Sequence, residues 1–208
     1  MSTPTLRRRA FLHLAVACLA AAPLSATAAE SAVTAPIQQL YDALLGVMKA
    51  GPAVPFAQRY NQLAPTIDAV FDLDSILKAS VGPDWNAIPA DQQSVLRTAF
   101  RRYTIASYIS SFDDFTGQRF DVSSQTRELP NNEQVVTTHI IPASGDQHRL
   151  DYVMRQNNGA WRVVDVLADG TISRVAVQRS DFRRQLMQGN SEALVVSLQA
   201  KAAELAGG

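Results

Sequence analysis

Cysteine is almost missing from this chain: Cys18 is the only one among 208 residues. It lies in the N-terminal apolar run Ala10–Ala22, so a domain without that run holds no disulfide and depends on its packed core. Lysine is nearly as scarce, limited to Lys49, Lys78 and Lys201, and histidine occurs only as His13, His139 and His148. No HxxxH, HExxH or cysteine pair is present, which excludes a metal site of ordinary spacing. A GxSxG elbow, a P-loop and a GxGxxG turn are also missing, and with them the signatures of serine hydrolysis and nucleotide binding. Basic residues form no stripe, which argues against nucleic acid as a partner. No apolar run reaches the roughly 20 residues of a permanent membrane helix.

What is present begins with an export signal. Arg7, Arg8 and Arg9 precede the short apolar run, Pro23 breaks it, and Ala26-Thr27-Ala28 gives the small-x-small pattern of a cleavage site. RRRAFL also resembles the twin-arginine export motif. Cys18 as a lipidated residue is disfavoured by Ala15 at the lipobox leucine position and by the apolar residues that follow it. The expectation is therefore a signal peptide over 1–28, cleavage near Ala28, and a single exported domain over 29–208. Loss of the three arginines leaves 16 basic against 19 acidic residues, a net charge near −3.

The remaining chain reads as α+β: helices first, then strands, then helices. Thr34 is placed to cap a helix over 35–50 that buries Ile37, Leu40, Tyr41, Leu44, Val47 and Met48. Pro55 opens a second helix, expected to stop before Pro65, and Asp72 caps a third that ends at Gly82-Pro83. The longest helix is expected from Pro89 or Ala90 to about Ser111, with Leu96, Phe100, Tyr103 and Ser107 on one face. Extended segments at 119–126, 134–141, 148–156 and 161–167 are joined by short turns, which predicts an antiparallel meander. Two helices, over 175–188 and 191–206, close the chain with a split at Gly189-Asn190.

WRVVDV, Trp161 to Val166, has β-formers on both of its faces, and a strand apolar on both sides needs cover on both, from helices or from a ligand. Asp165 interrupts it, and a buried carboxylate needs a partner. Arg149, Arg155, Arg174 and Arg179 are candidates for a structural ion pair, with a catalytic acid as the alternative. His139 and His148 fall on adjacent strands, where they can face one another. Asp113-Asp114 reads as a solvated turn after the long helix.

These same residues carry a resemblance. WRVVDV, then Asp169-Gly170, Ile172-Ser173 and Arg179-Ser180-Asp181-Phe182, resemble the MlaC/toluene-tolerance family. LVVSLQAK, Leu194 to Lys201, resembles the closing helix of that family, and Tyr108 followed by FTGQRF, Phe115 to Phe120, stands where the family passes from its long helix into its sheet. VGPDWNAIPADQQ, Val81 to Gln93, together with DGTISRVAVQRSDF, is closer to the hopanoid-associated HpnM branch.

The resemblance implies a twisted antiparallel sheet of four or slightly more strands, with a lipid cavity between sheet and helices. It further implies a soluble periplasmic carrier of phospholipid or hopanoid that is not an enzyme and has no cofactor beyond its cargo. Its partners would be an inner-membrane ABC transporter or MCE-type complex and an outer-membrane complex or hopanoid transporter. Cavity candidates are Phe100, Tyr103 and Tyr108 from the long helix and Val136, Tyr152, Val153, Trp161 and Val163 from the sheet. Asp165, Gly170, Arg179, Ser180 and Phe182 carry the structural motif. Two other readings stand beside it: an NTF2-like enzyme using His139 or Asp165, and a periplasmic adaptor without ligand.

Overall fold

Apolar residues at helical spacing set the first layer. A computed structural model describes residues 24–186 and 190–207. Helix α1 (Leu24–Ala50) buries Val33, Ile37, Leu40, Tyr41, Leu44 and Val47 along one stripe. It does not start at Thr34: the helix passes through both Thr34 and Pro36, and it spans the expected cleavage point at Ala28. With 27 residues it is also longer than the helix expected to be longest. Gly51, at φ 66°, ends it, its N–H returning to the Val47 carbonyl at 3.1 Å.

Helix α2 (Phe56–Val70) likewise runs through Pro65, where the sequence reading expected a stop. Burial of Leu63, Ala64, Ile67 and Val70 on one face outweighs the single backbone bond that Pro65 removes. At Phe71 the chain becomes extended and bridges Val163, and the Asp72 N–H donates to the Val163 carbonyl at 2.9 Å. Asp72 then caps α3 (Leu73–Val81), accepting from the Ser75 N–H at 3.0 Å. A 3-10 turn over Gly82–Ala87 leads to α4 (Ala90–Ser111), which buries Leu96, Ala99, Phe100, Ile105, Ala106 and Ile109.

The sheet is a five-stranded antiparallel meander in chain order: β1 (Arg119–Leu129), β2 (Glu133–Ile141), β3 (His148–Asn157), β4 (Ala160–Ala168) and β5 (Ile172–Ser173). The two-residue β5 brings the sheet to five strands, within the expected four or slightly more. Helix α5 (Arg174–Arg183) follows directly and packs on α3, and α6 (Glu192–Leu205) packs on α4. Helix α5 stops at Arg183, short of the expected end at Gln188, and 184–186 are already turn and irregular chain. Gln188 and the expected split at Gly189 lie outside the described residues.

Register decides which side chains meet. Ile140 pairs with His148 and His139 with Arg149, so the two histidines alternate onto opposite faces and do not meet. A bulge where Val153 pairs with Asp165 and Met154 with Val163 sends Val163 into the main core and Val164 to the outer face. There Val164 packs with Val135 and Val153, beside Leu129 and Leu167. The second apolar face of β4 is thus closed by its own sheet neighbours, where the sequence reading expected helices or a ligand. Tyr41 of α1 seals the helix side, stacked on Phe120 at 4.3 Å and edge-on to Tyr152 at 6.0 Å.

Candidate functional site: an apolar cavity between α4, α5 and the edge of β4

Helical spacing puts Phe100, Tyr103, Thr104, Ser107, Tyr108 and Ser111 on one stripe of α4, and that stripe faces a cavity of about 310 Å³. Phe71, Leu73 and Ile76 form a second wall at the α2–α3 junction. Val166 and Ala168 of β4, with Val175 and Gln178 of α5, form the third. Rings dominate one end: Phe71 meets Tyr108 at 5.4 Å, and Tyr108 stacks on Phe112 at 6.1 Å. Deeper in, Phe100 meets Phe182 edge-on at 6.3 Å.

Polar groups are few and mostly committed. The Ser107 hydroxyl donates to the Tyr103 carbonyl at 2.8 Å. The Thr104 hydroxyl is buried without a hydrogen-bond partner among the described residues, so it is free to orient a polar group of a guest. Burial raises the Tyr108 phenol well above its ordinary range, so it stays neutral and can act as donor or acceptor. A wall of rings and aliphatic groups with scattered hydroxyls suits an apolar molecule better than a reaction.

Among the described residues Asp165 takes no arginine as partner. Its carboxylate accepts from the N–H of Val166 at 2.8 Å, the N–H of Val175 at 3.1 Å and the Ser173 hydroxyl. Ser173 in turn accepts from the Ala176 N–H at 2.9 Å. Asp165 and Ser173 together therefore cap the first turn of α5 and place a negative charge at the positive end of its dipole. The expected arginines are engaged elsewhere: Arg149 with Asp151, Arg155 with Glu133, and Arg179 with the Ala79 carbonyl at 2.8 Å. Arg174 lines the cavity mouth.

The rest of the motif serves the same corner. Asp169 and Gly170 turn the chain with φ of 51° and 72°, and a Cβ on Gly170 would come within 3.0 Å of the Arg149 guanidinium carbon. Arg179 ties α5 to α3, and Phe182 is buried against Phe100. Ser180 is exposed on α5.

Of the eight cavity candidates, Phe100, Tyr103 and Tyr108 line the space. Val136, Tyr152 and Val163 are fully buried in the packed core, Trp161 is half-buried against it, and Val153 lies on the outer face. Sequence reasoning missed Thr104 and Ser111, although each stands four residues beyond a residue of the chosen stripe. It also missed Phe71 and Leu73, which no local pattern distinguishes from core. Beyond those two residues lies a polar groove of about 270 Å³ where Arg97 pairs with Asp74 and Arg101 holds Asp68 through two bonds of 2.7 Å.

The model of a known family, described as MlaC protein, matches residues 38–200. The chain belongs to the MlaC family. The match runs from α1 into α6 and takes in every wall of the cavity. A solved structure from Ralstonia solanacearum, described as a phospholipid-binding protein in complex with a phospholipid, superposes with a TM-score of 0.71. It is 19% identical in sequence, and the alignment covers 84% of this chain and 98% of that one. Helices packed on one antiparallel sheet are therefore the fold shared with this MlaC-family chain. A comparison with curated proteins gives no match.

Proposed function

We propose that this chain is a periplasmic lipid carrier, which holds the apolar part of a phospholipid or hopanoid-like lipid between α4, α5 and the edge of β4. The observation that carries this reading is the apolar, ring-lined cavity, whose few hydroxyls orient without reacting. Family membership and a structural relative described with a bound phospholipid support it. Burying roughly 30 methylenes of a two-chain lipid at about 0.8 kcal/mol each amounts to about 24 kcal/mol gross, so only a greasy cavity makes extraction from a bilayer feasible. Transfer is then a near-balanced exchange, and its direction comes from the partners. Those partners are an inner-membrane ABC transporter or MCE-type complex and an outer-membrane complex or hopanoid transporter. The HpnM-like segments favour a hopanoid-related cargo.

The N-terminal arginines, short apolar run and Ala26-Thr27-Ala28 support export and cleavage near Ala28. Among the described residues no helix is long and apolar enough to cross a membrane. Catalysis has little to stand on: His139 lies on the face of the sheet opposite Tyr152 and the main core, and Asp165 is occupied in capping α5. Native mass spectrometry of the gently purified mature protein tests the reading. A stoichiometric phospholipid or triterpenoid is expected, and extraction identifies it; a consistently empty protein would overturn the carrier.

A further inference from the structure

Helix α5 has two sides with different chemistry. Its inner side, Val175 and Gln178, is cavity wall, and Phe182 is buried beside it. Its outer side is basic and partly apolar. Between residues 174 and 184 the chain places Arg174, Arg179, Arg183 and Arg184 against Asp181, a local charge of +3 in a sequence that is neutral as a whole. Arg184 holds Asp181 at 2.9 Å and Arg179 is bound to α3, while Arg174 and Arg183 pair with no carboxylate among the described residues. Arg174 carries its charge at the positive end of the helix, a position that local electrostatics disfavours.

Two large apolar side chains stand in the same place. Val177 is 42% exposed and Ile172, just ahead of the helix, is 53% exposed. Val177 follows Arg174 by three residues and precedes Arg184 by seven, which sets all three along one side of the helix. Exposed apolar groups flanked by the unpaired Arg174 and the Asp181-paired Arg184, with the unpaired Arg183 one residue before it, match the chemistry of a bilayer with anionic headgroups.

We propose that Ile172 and the outer side of α5 form the surface by which this protein seats on an anionic lipid bilayer, with the cavity mouth at Arg174 turned toward the membrane. The proposal rests on the lipid-carrier reading and adds where the carrier meets the membrane and which lipid charge it prefers. Seating α5 there brings the cavity wall itself to the bilayer surface, so a lipid crosses a short path without leaving apolar surroundings.

Co-sedimentation of the mature protein with vesicles tests it, comparing pure phosphatidylcholine with a phosphatidylcholine–phosphatidylglycerol mixture. Binding to the mixture and little to phosphatidylcholine is expected. One basic residue is worth about fivefold in partitioning, so R183E, which changes the charge by two, should weaken binding to the mixture about 25-fold. The double variant I172S/V177S should weaken it as well, with circular dichroism unchanged for both variants. Equal binding to both vesicle types, no binding by the parent, or full binding by R183E would each overturn the proposal. Mass spectrometry of the same samples separates the two ideas. A lipid-loaded protein that ignores anionic vesicles sinks only the docking surface, whereas an empty protein sinks the carrier and leaves the vesicle result to judge the surface alone.

Discussion

Both faces of the sheet carry buried apolar side chains, yet these are closed in different ways. On the outer face, Val135, Val153 and Val164 pack with one another beside Leu129 and Leu167. In the neighbouring row Asp151, fully buried, is held by both Arg149 guanidinium bonds at 2.7 and 2.8 Å. On the helix face, α1 and α2 pack tightly, but α4 and α5 stand off the edge of β4 and leave about 310 Å³. Small branched side chains at sheet spacing fill their own gaps. Rings alternating with Thr and Ser on a helix do not, because a flat ring next to a short side chain leaves space beyond it. Apolarity alone therefore does not mark a ligand wall; the mixture of sizes along one stripe does.

Truncating one residue on each face tests that contrast most strongly. Phe100 is 1% exposed, lines the cavity and supports Phe182, so Phe100→Ala should cost about 3–5 kcal/mol and reduce the retained lipid. Val164→Ala on the outer face should cost about 1–2 kcal/mol and leave the lipid content unchanged. Urea unfolding combined with native mass spectrometry reads both quantities. Equal loss of lipid in the two variants would break the distinction between the faces.

Asp165 is where the two faces meet at the sheet edge, and its role is to hold α5 in place as the cavity wall. Asp165→Ala removes the acceptor for the Val175 N–H and the Ser173 hydroxyl, at a cost of about 2 kcal/mol. Asp165→Asn keeps one acceptor oxygen and should cost about 1 kcal/mol. Hydrogen exchange in the first turn of α5 should rise in both variants, more in the alanine. Unchanged protection at Val175 and Ala176 would show that α5 is held by its packing alone.

How much of this was legible follows the range of the interactions. The bounds of β2, β3 and β4, the Asp72 cap and the stop at Gly82 are local, and the expected elements match the structure there to within a residue. By contrast, β1 runs on to Leu129, past its expected end at 126. The errors at Thr34 and Pro65 have one cause: tertiary burial of Ile37 and Ile67 stabilises a helix that local signals would end. Phe100, Tyr103 and Tyr108 could be named because helical spacing fixes a face. Val153 was assigned to the cavity because strand alternation gives two faces without saying which is inside, and the bulge at Val163-Val164 shifts the pattern partway along β4. Phe71 was invisible because only its distant bridge to Val163 brings it to the cavity.

The smallest expected effect concerns the tightly packed part of the helix face, where Tyr41, Tyr152 and Thr138 meet. The Thr138 hydroxyl donates to the Leu150 carbonyl at 2.9 Å, so it must accept from the Tyr41 hydroxyl. The Tyr152 hydroxyl lies beside that of Tyr41 but outside hydrogen-bonding geometry. Removing it in Tyr152→Phe keeps the ring contact with Tyr41 and should change stability at neutral pH by less than about 1 kcal/mol. The variant should differ from its parent in alkali. Burial raises the phenols of Tyr41, Tyr108 and Tyr152 above their ordinary value of about 10. Their contribution is fully present below the unfolded value, and it falls as the pH rises past it because the unfolded chain releases those protons first. Each such phenol steepens the fall by up to about 1.4 kcal/mol per pH unit, so the unfolding midpoint of Tyr152→Phe should decline less than the parent's between about pH 9 and pH 11. Parallel declines would mean that Tyr152 ionises as readily in the folded protein as in the unfolded chain, and this side of the helix face would then be open to water rather than sealed.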